Sequence, residues 1–397
     1  MNQKENPMGN NISKKILEIY SKNEPLTIGV EEEYQLCDPN SGDLVSRVDE
    51  LMDAADPNLR KQFSYELLLS VLEVRTGINH TVDETVEAIA EMRRKSAELA
   101  SRFGISLGLS GAHPYAKWQE QQFVKTEDYQ WVMNQLQYLA MRNITFGLHI
   151  HIGLDDPNKA VRASNCLRRW IAPLMAISAN SPFFDGVRTG MMSSRTVQFG
   201  TFPRTGLPPH LEGFEEYEML VNKLIEAGSI TKARQIWWKV RPHLTFGTVE
   251  LRMFDVHASL KRTGAFIALA QALVGQFVED FECGKLERAV NDLYLLDGYW
   301  KARRFGLDCD IICPYDGTIR SMRDEVRKML DLAMPYAEKL GTSHWLEEID
   351  KIIEEGTGAD DMIKLWNEVG EDLVEMQKRL IDSVEYEVEN KSLVVEG

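Results

Sequence analysis

Long apolar runs are missing from this 397-residue chain. No segment holds ~18 uninterrupted apolar residues, so no membrane-spanning helix is expected, and the opening MNQKENPMGNNISKK lacks the apolar core of a secretory leader. Cysteine is scarce: five residues without Cys-x-x-Cys spacing argue against a disulfide framework or a zinc knuckle and fit reduced thiols. Linkers rich in Pro, Gly and Ser, sustained heptads and internal repeats are lacking, as is the Gly-x-x-x-x-Gly-Lys-Ser/Thr loop that cradles phosphates. Positive charge is in deficit. With 45 Lys and Arg against 61 Asp and Glu, the net charge is −16, so neither nucleic acid nor an anionic membrane is an expected partner. What remains is a chain expected to be soluble and cytoplasmic, 44% hydrophobic and long enough to bury one large core.

Four short segments put charged or metal-binding side chains on one face of an expected strand. In Thr27–Leu36, Ile28, Val30, Tyr34 and Leu36 share one parity with Glu32, while Gly29, Glu31, Glu33 and Gln35 share the other. In Ile144–Leu154 the split is complete: Ile144, Phe146, Leu148, Ile150, Ile152 and Leu154 face one side, and Thr145, Gly147, His149, His151 and Gly153 the other. Val71–Gly77 aligns Glu73 with Arg75, and Leu244–Val256 aligns Glu250 with Arg252. Each pattern alone has an ordinary explanation, since Glu-x-Glu on a strand is commonly a solvated edge and Glu-x-Arg a cross-strand ion pair. Their coincidence on four strands, three of them preceded or interrupted by Gly29, Gly147 or Gly247, points to a ligand site on a sheet.

Convergent carboxylates need counter-charge. Two of them ~5 Å apart repel by roughly 3 kcal/mol at an effective dielectric constant of about 20, so such a cluster protonates, disperses or holds a cation. Oxygen-rich ligation with one or two imidazoles suits Mg²⁺ or Mn²⁺, whereas the planar forks of neighbouring arginines suit phosphate or carboxylate. Metal and arginine together suggest phosphoryl chemistry. His151 lies some 7 Å along the strand from His149 at ~3.3 Å per residue, which places it to reach substrate rather than metal. Glu66 precedes Glu73 by seven residues, so strict alternation puts it on the opposite face unless a bend intervenes.

The runs IGVEEEYQL, GLHIHIGLDDPNKAVRASNCLRRWIAPLMAISANSPFFDG and TVELRMFDV, within about residues 26–310, resemble the glutamate-cysteine ligase family in its carboxylate-amine ligase (type 2) branch. The resemblance implies an α+β fold of glutamine-synthetase type, a curved antiparallel sheet forming a funnel with helices on its outer face. It implies an ATP- and Mg²⁺-dependent ligase (Mn²⁺ being the substitute) that forms a γ-glutamyl amide through an acyl phosphate. By the same resemblance Glu31, Glu33, Glu73, His149 and Glu250 are metal ligands, and Arg195 and Arg252 engage substrate carboxylate or phosphate as catalytic residues. His151, Arg75 and Glu66 complete the expected substrate-binding set. Expected partners are ATP, an amino-acid carboxylate, an amine and a second copy of the chain in a homo-oligomer, a dimer. A metal-dependent hydrolase built on His149-x-His151 and a non-catalytic binding protein on the ligase fold are the alternatives.

The expected organisation is a polar segment with a short helix over 1–24, one catalytic domain over 25–390, sheet-rich to 260 and mostly helical from 261, and a tail at 391–397. Thr81-Val82-Asp83-Glu84 reads as a capping box opening a helix that Gly104 stops. Asp156-Pro157 opens another, expected to run through Trp170 and Met175. Later helices are expected at Phe266–Phe281, Leu286–Phe305, Ile319–Leu340 and Asp360–Val384.

Overall fold

Seven strands make the central sheet, because seven short segments alternate or bury their side chains in register. In this computed structural model, which describes residues 9–388, they are β1 (Ile28–Cys37), β2 (Phe63–Tyr65), β3 (Val71–Arg75), β4 (Ser106–Gly108), β5 (Gly147–Gly153), β6 (Val240–His243) and β7 (Thr248–Asp255). Their order is β6-β7-β5-β1-β3-β2, with β4 also on β1, and every pairing is antiparallel. The expected tail at 391–397 and the first eight residues of the expected N-terminal segment lie outside the described residues; the short helix there is Gly9–Tyr20.

One face of the sheet is core. Ile28, Val30, Leu148, Ile150, Ile152, Val249 and Leu251 pack against the almost wholly buried helix Leu260–Glu282 and the helices around it. Glu32 shares that apolar parity and is matched there by the fully buried Arg93, whose Nη2 and Nε lie 2.5 and 3.0 Å from its two oxygens. A charge on the core face is tolerable only because it is paired in this way.

Helix ends follow their capping chemistry. The Thr81 capping box forms with both of its hydrogen bonds at the start of Val82–Ser101, and Gly104 takes φ +65° after it. The Pro157 helix ends at Leu167 rather than running on to Met175. A 3₁₀ turn over Arg168–Trp170 precedes the helix Ile171–Ile177, since Pro173 cannot donate to the carbonyl four residues back and its ring crowds that carbonyl. The expected Leu286–Phe305 helix starts later, at Asp292 behind an Asn291 cap. Residues 319–321 pair as a strand with Asp310–Ile312 before the helix Met322–Leu340. Ser343–Glu355 is an additional helix, and the expected Asp360–Val384 helix divides into Gly358–Glu368 and Leu373–Asp382, with Gly370 at φ +71° between them. None of the described helices is long and apolar enough to cross a membrane, and all five cysteines are free thiols.

Candidate functional site

Cross-strand register assembles the polar face. Glu31 of β1 lies opposite His149 on β5 and Arg75 on β3, Glu33 opposite Glu73, His151 opposite Glu250 on β7, and Glu250 opposite Arg241 on β6. A bulge in β7 sets two residues, Arg252 and Met253, against His149 alone, which flips the parity beyond it. Phe254 therefore enters the core and Asp255, which strict alternation puts on the core side, joins the polar face opposite Gly147.

The carboxylates form two groups. In the first, ligand atoms of Glu31, His151 and Glu250 all lie within 4.8 Å of one another. His151 Nε2 is 3.8 Å from oxygens of both Glu31 and Glu250 and is buried without a hydrogen-bond partner, while its Nδ1 lies 3.0 Å from the Thr248 hydroxyl. Glu250 is clamped between Arg241, whose Nε donates at 2.6 Å, and Arg252. Burial alone would raise the pKa values of both carboxyls. For Glu31 the hydrogen bonds and charge of His149 and His151 outweigh it, and for Glu250 the charges of Arg241 and Arg252 do, so both are held well below the usual range.

The second group is Glu33, Glu66 and Glu73, again within 4.8 Å of one another. Glu66 reaches it because the chain reverses between β2 and β3, so the alternation counted back from Glu73 does not apply across that turn. Glu33 accepts from the Gly147 amide at 2.5 Å and Glu66 from the Leu67 amide at 2.6 Å. Among the described residues no arginine clamps this group. Burial, then the charge of Glu33, pushes Glu66 up to about 7, and burial with the charges of Glu31, Glu66 and Glu33 drives Glu73 well above the carboxylate range.

His149, expected among the metal ligands, sits between the groups: Nδ1 is 3.2 Å from Glu31 and Nε2 is 3.8 Å from Glu33. Arg195 and Arg252 each approach its ring nitrogens at 3.5 Å. Burial, then the Arg252 charge, lowers its pKa. The histidine with ligand spacing in the first group is His151, expected instead at the substrate.

Arg195 is on the short helix Ser194–Phe199, capped by the Ser193 hydroxyl. Asp255 anchors that segment by accepting from the Asn180 amide (2.9 Å) and the hydroxyls of Ser181 (2.6 Å) and Ser193 (3.0 Å), and its carboxylate is 3.9 Å from Arg195 Nη1. Of the three strand-flanking glycines, Gly147 permits this approach, since a Cβ there would lie 2.1 Å from Arg195 Nη2. Gly247 (φ +65°) shapes the β6–β7 turn, and Gly29 has ordinary room.

The five carboxylates of the two groups, with His149, Arg75, Arg195, Arg241 and Arg252, line a cavity of about 440 Å³ that Tyr65, Tyr129, Phe199, Phe202 and Trp237 also line, whereas His151 lines the neighbouring cavity. A second cavity of about 530 Å³ adjoins it, shares Glu31, Arg75, Thr245 and Phe246, and is bounded by Val30, Thr76, Gly77 and the exposed Ile78. Sequence reasoning missed Arg241, Asp255 and Lys239, the last wholly buried, its Nζ 5.1 Å above the Phe199 ring and without a hydrogen-bond partner among the described residues. The signal that could have found Lys239 and Arg241 is the alternation Lys239-Val240-Arg241-Pro242-His243, despite its proline. On an edge strand a proline is tolerated.

Residues 27–380 match the family described as glutamate-cysteine ligase family 2. A protein of Thermobifida fusca provisionally named glutamate–cysteine ligase 2 is 36% identical over 334 residues, 83% of this chain and 84% of its own. One of the same provisional name from Solibacter usitatus is 34% identical over 362 residues, 91% and 94% of the two chains. Among solved structures, the Francisella tularensis glutamate–cysteine ligase in complex with AMP superposes with a TM-score of 0.71 at 10% identity, covering 91% of this chain and 89% of that one. A bifunctional glutathione synthetase from Pasteurella multocida gives 0.68 at 12% identity, with 95% of this chain on 54% of that one. At such identities the likeness is one of fold, the curved antiparallel sheet with helices packed on its outer face.

Proposed function

The chain belongs to glutamate-cysteine ligase family 2, whose members are ATP-dependent carbon–nitrogen ligases, and from that premise we propose that it joins the γ-carboxyl of glutamate to an amine through an acyl phosphate. The observation that carries this reading is the pair of carboxylate groups, one clamped by arginines and one bare, in a single cavity with Arg195 and Arg252 between them. The donor sets fit hard divalent cations: five carboxylates and one imidazole, with the buried His151 Nε2 left without a partner and aimed between Glu31 and Glu250. Mg²⁺ held there would neutralise phosphoryl oxygens as charge builds on them.

The chain's own residues divide the remaining work. Arg252 and Arg241 beside the first group favour the triphosphate, and the adjoining cavity, with Ile78 and Phe246 on its walls, suits the nucleobase. Arg195, rigidly held by Asp255 and its helix, reads the carboxylate of the acid. The γ-phosphoryl passes to a carboxylate oxygen and ADP departs. The amine nitrogen then attacks the carbonyl carbon, loses a proton and expels inorganic phosphate. Preorganised guanidinium charge is the protein's contribution to both steps.

Glutamate labelled with ¹⁸O in its carboxyl groups is expected to pass label into inorganic phosphate during turnover with Mg²⁺-ATP and cysteine or another amine from a panel. Label retained wholly in glutamate and product would rule the acyl phosphate out, and substrate turnover without ATP consumption would return the site to the hydrolase reading.

A further inference from the structure

Four buried hydrogen-bond donors gather around Arg195 without an acceptor. Lys239 Nζ, Arg195 Nε, Arg303 Nε and Tyr299 Oη are each shielded from solvent, and none bonds to a described residue. Lys239 is 0% exposed, Arg195 3% and Tyr299 6%, and Arg303 is half-buried. Buried polar groups in folded proteins are paired in the great majority, so four orphans in one region need a common cause.

Three elements bring them together. Arg195 and Phe199 lie four residues apart on the helix Ser194–Phe199, hence on one face, and Lys239 Nζ stands 5.1 Å above the Phe199 ring. The Lys239 carbonyl accepts from the Arg252 amide at 2.8 Å, which fixes it beside β7. From the other side comes the helix Asp292–Phe305. The amides of Met192 and Ser193 donate to the Arg303 carbonyl at 2.8 and 3.1 Å, a Cβ on Gly200 would lie 3.3 Å from Arg303 Nη1, and the Arg303 guanidinium covers the Tyr299 ring at 4.3 Å.

The charges in this region do not balance. Neither Lys239 nor Arg303 makes an ion pair with a described residue, and Arg195 has Asp255 at 3.9 Å from Nη1. The Asp255 oxygens already accept from the Asn180 amide and from the Ser181 and Ser193 hydroxyls, and the neighbouring Arg252 is matched by Glu250. Burial, then the charges of Arg195, Arg252 and Arg303, drives the Lys239 amine well below its ordinary range, with Asp255 opposing. An aromatic face is weak compensation for an ammonium taken out of water. Water could accept these bonds, but it brings no charge and leaves the cationic surplus where it was. A small anion does both.

We propose that Lys239 Nζ, Arg195 Nε, Arg303 Nε and Tyr299 Oη together bind a monovalent inorganic anion of the chloride class. The anion keeps Lys239 protonated and holds the Nε edge of Arg195, while the Nη atoms stay on the sheet side, 3.4 Å from the Arg252 carbonyl and 3.5 Å from His149. Of the four residues Arg195 lines the substrate cavity and the other three do not, so the site lies behind the reaction and does not depend on which reaction is run.

Anomalous diffraction at the bromine edge, from crystals of the metal-free protein in which bromide replaces chloride, tests it directly. One bromide is expected in contact with Lys239 Nζ. In solution the thermal midpoint is expected to rise by about 1–2 °C per tenfold increase in chloride above its Kd, with ionic strength held constant by gluconate. Lys239→Met removes the buried charge, so it should be at least as stable as the wild type in gluconate, yet lack both the bromide peak and the chloride response. Tyr299→Phe should raise the chloride concentration needed by about 10-fold. The proposal is overturned by a wild type without the bromide peak, by a peak without a saturable chloride response (an adventitious ion only), or by a response that Lys239→Met retains. Bromide displaced by glutamate also overturns it, since the donors would then belong to the acid substrate.

Discussion

Glu31 and Glu33 are two residues apart on one strand, yet they belong to groups of opposite electrical character. Glu31 joins His151 and Glu250, where Arg241 and Arg252 supply counter-charge and hold the carboxyls ionised. Glu33 joins Glu66 and Glu73, where no guanidinium among the described residues makes contact and burial with mutual repulsion raises Glu66 and Glu73. The difference lies in what the neighbouring strands bring: β6 and β7 carry arginines to the first group, whereas the β2–β3 reversal carries a third carboxylate to the second. A group already neutralised can share its cation with a triphosphate. A bare group has its strongest demand for a cation of its own.

The largest effect is expected from breaking the clamp. Arg241 is buried, and besides Glu250 it donates to the carbonyls of Arg234 (2.7 Å) and Ile236 (2.6 Å). Arg241→Met leaves all three acceptors short of a donor and Glu250 with Arg252 alone. A loss of about 3 kcal/mol in the stability of the metal-free protein is expected by chemical denaturation. Glu250→Gln in that background should recover part of it, and an unchanged midpoint in Arg241→Met would mean that the first group is not clamped as described.

Next in size is Arg252→Lys, which keeps the charge beside Glu250 and His149 but removes the planar fork. ATP-dependent turnover should fall by at least ~10²-fold, about 2.7 kcal/mol of transition-state stabilisation, with the stability little altered. Near-wild-type activity would move the phosphoryl-reading role to another residue.

The parts of this comparison visible in the sequence were those set by a period of two. Glu31, Glu33, His149, His151 and Glu250 fall on one face because three strands keep their alternation up to the bulge, and the capping box of the Val82–Ser101 helix is a local pattern that formed as read. What was illegible came from events without a periodic signature. The β7 bulge moved Asp255 to the polar face, the β2–β3 reversal brought Glu66 in, and cross-strand register gave His151 rather than His149 the ligand spacing. Register and bulges depend on which strands pair, and one strand's sequence does not specify its partner. The division of the C-terminal helices at Gly370 and the 3₁₀ turn before Pro173 were legible in principle, since both carry the residue that causes the break.

The third expectation sharpens the contrast through pH. Glu66 has a folded pKa of about 7 against 4.5 in the unfolded chain, so its favourable contribution is complete below about 4.5 and is lost as pH rises through about 7. Glu31 and Glu250 have the opposite sign: their contribution is present above about 4.5 and disappears as pH falls below it. Metal-free protein should therefore lose ~2 kcal/mol between pH 5 and 8 from Glu66, allowing for its partial exposure to the cavity. Glu66→Gln should flatten that slope and Mg²⁺ should abolish it. A slope unchanged by both would show that the second group neither repels itself nor binds the ion.

The smallest effect addresses the first group alone, through the atom that orients its imidazole. The Thr248 hydroxyl lies 3.0 Å from His151 Nδ1, and a hydrogen bond there fixes the ring so that Nε2 points between Glu31 and Glu250. If His151 is a ligand, Nε2 must carry the lone pair, and Nδ1 must then donate its proton to Thr248 Oγ1. Thr248→Val preserves the shape of the side chain and removes the acceptor. The ring then loses its orientation and its preferred tautomer, without any change of charge at either group. Mn²⁺ affinity measured by titration calorimetry or paramagnetic relaxation should weaken about tenfold at one class of site, ~1.4 kcal/mol, while a second class, assigned by its loss in Glu73→Gln, keeps its affinity. Equal weakening at both classes would mean that one ion bridges all six ligands through His149, and the two groups would have to be treated as a single centre.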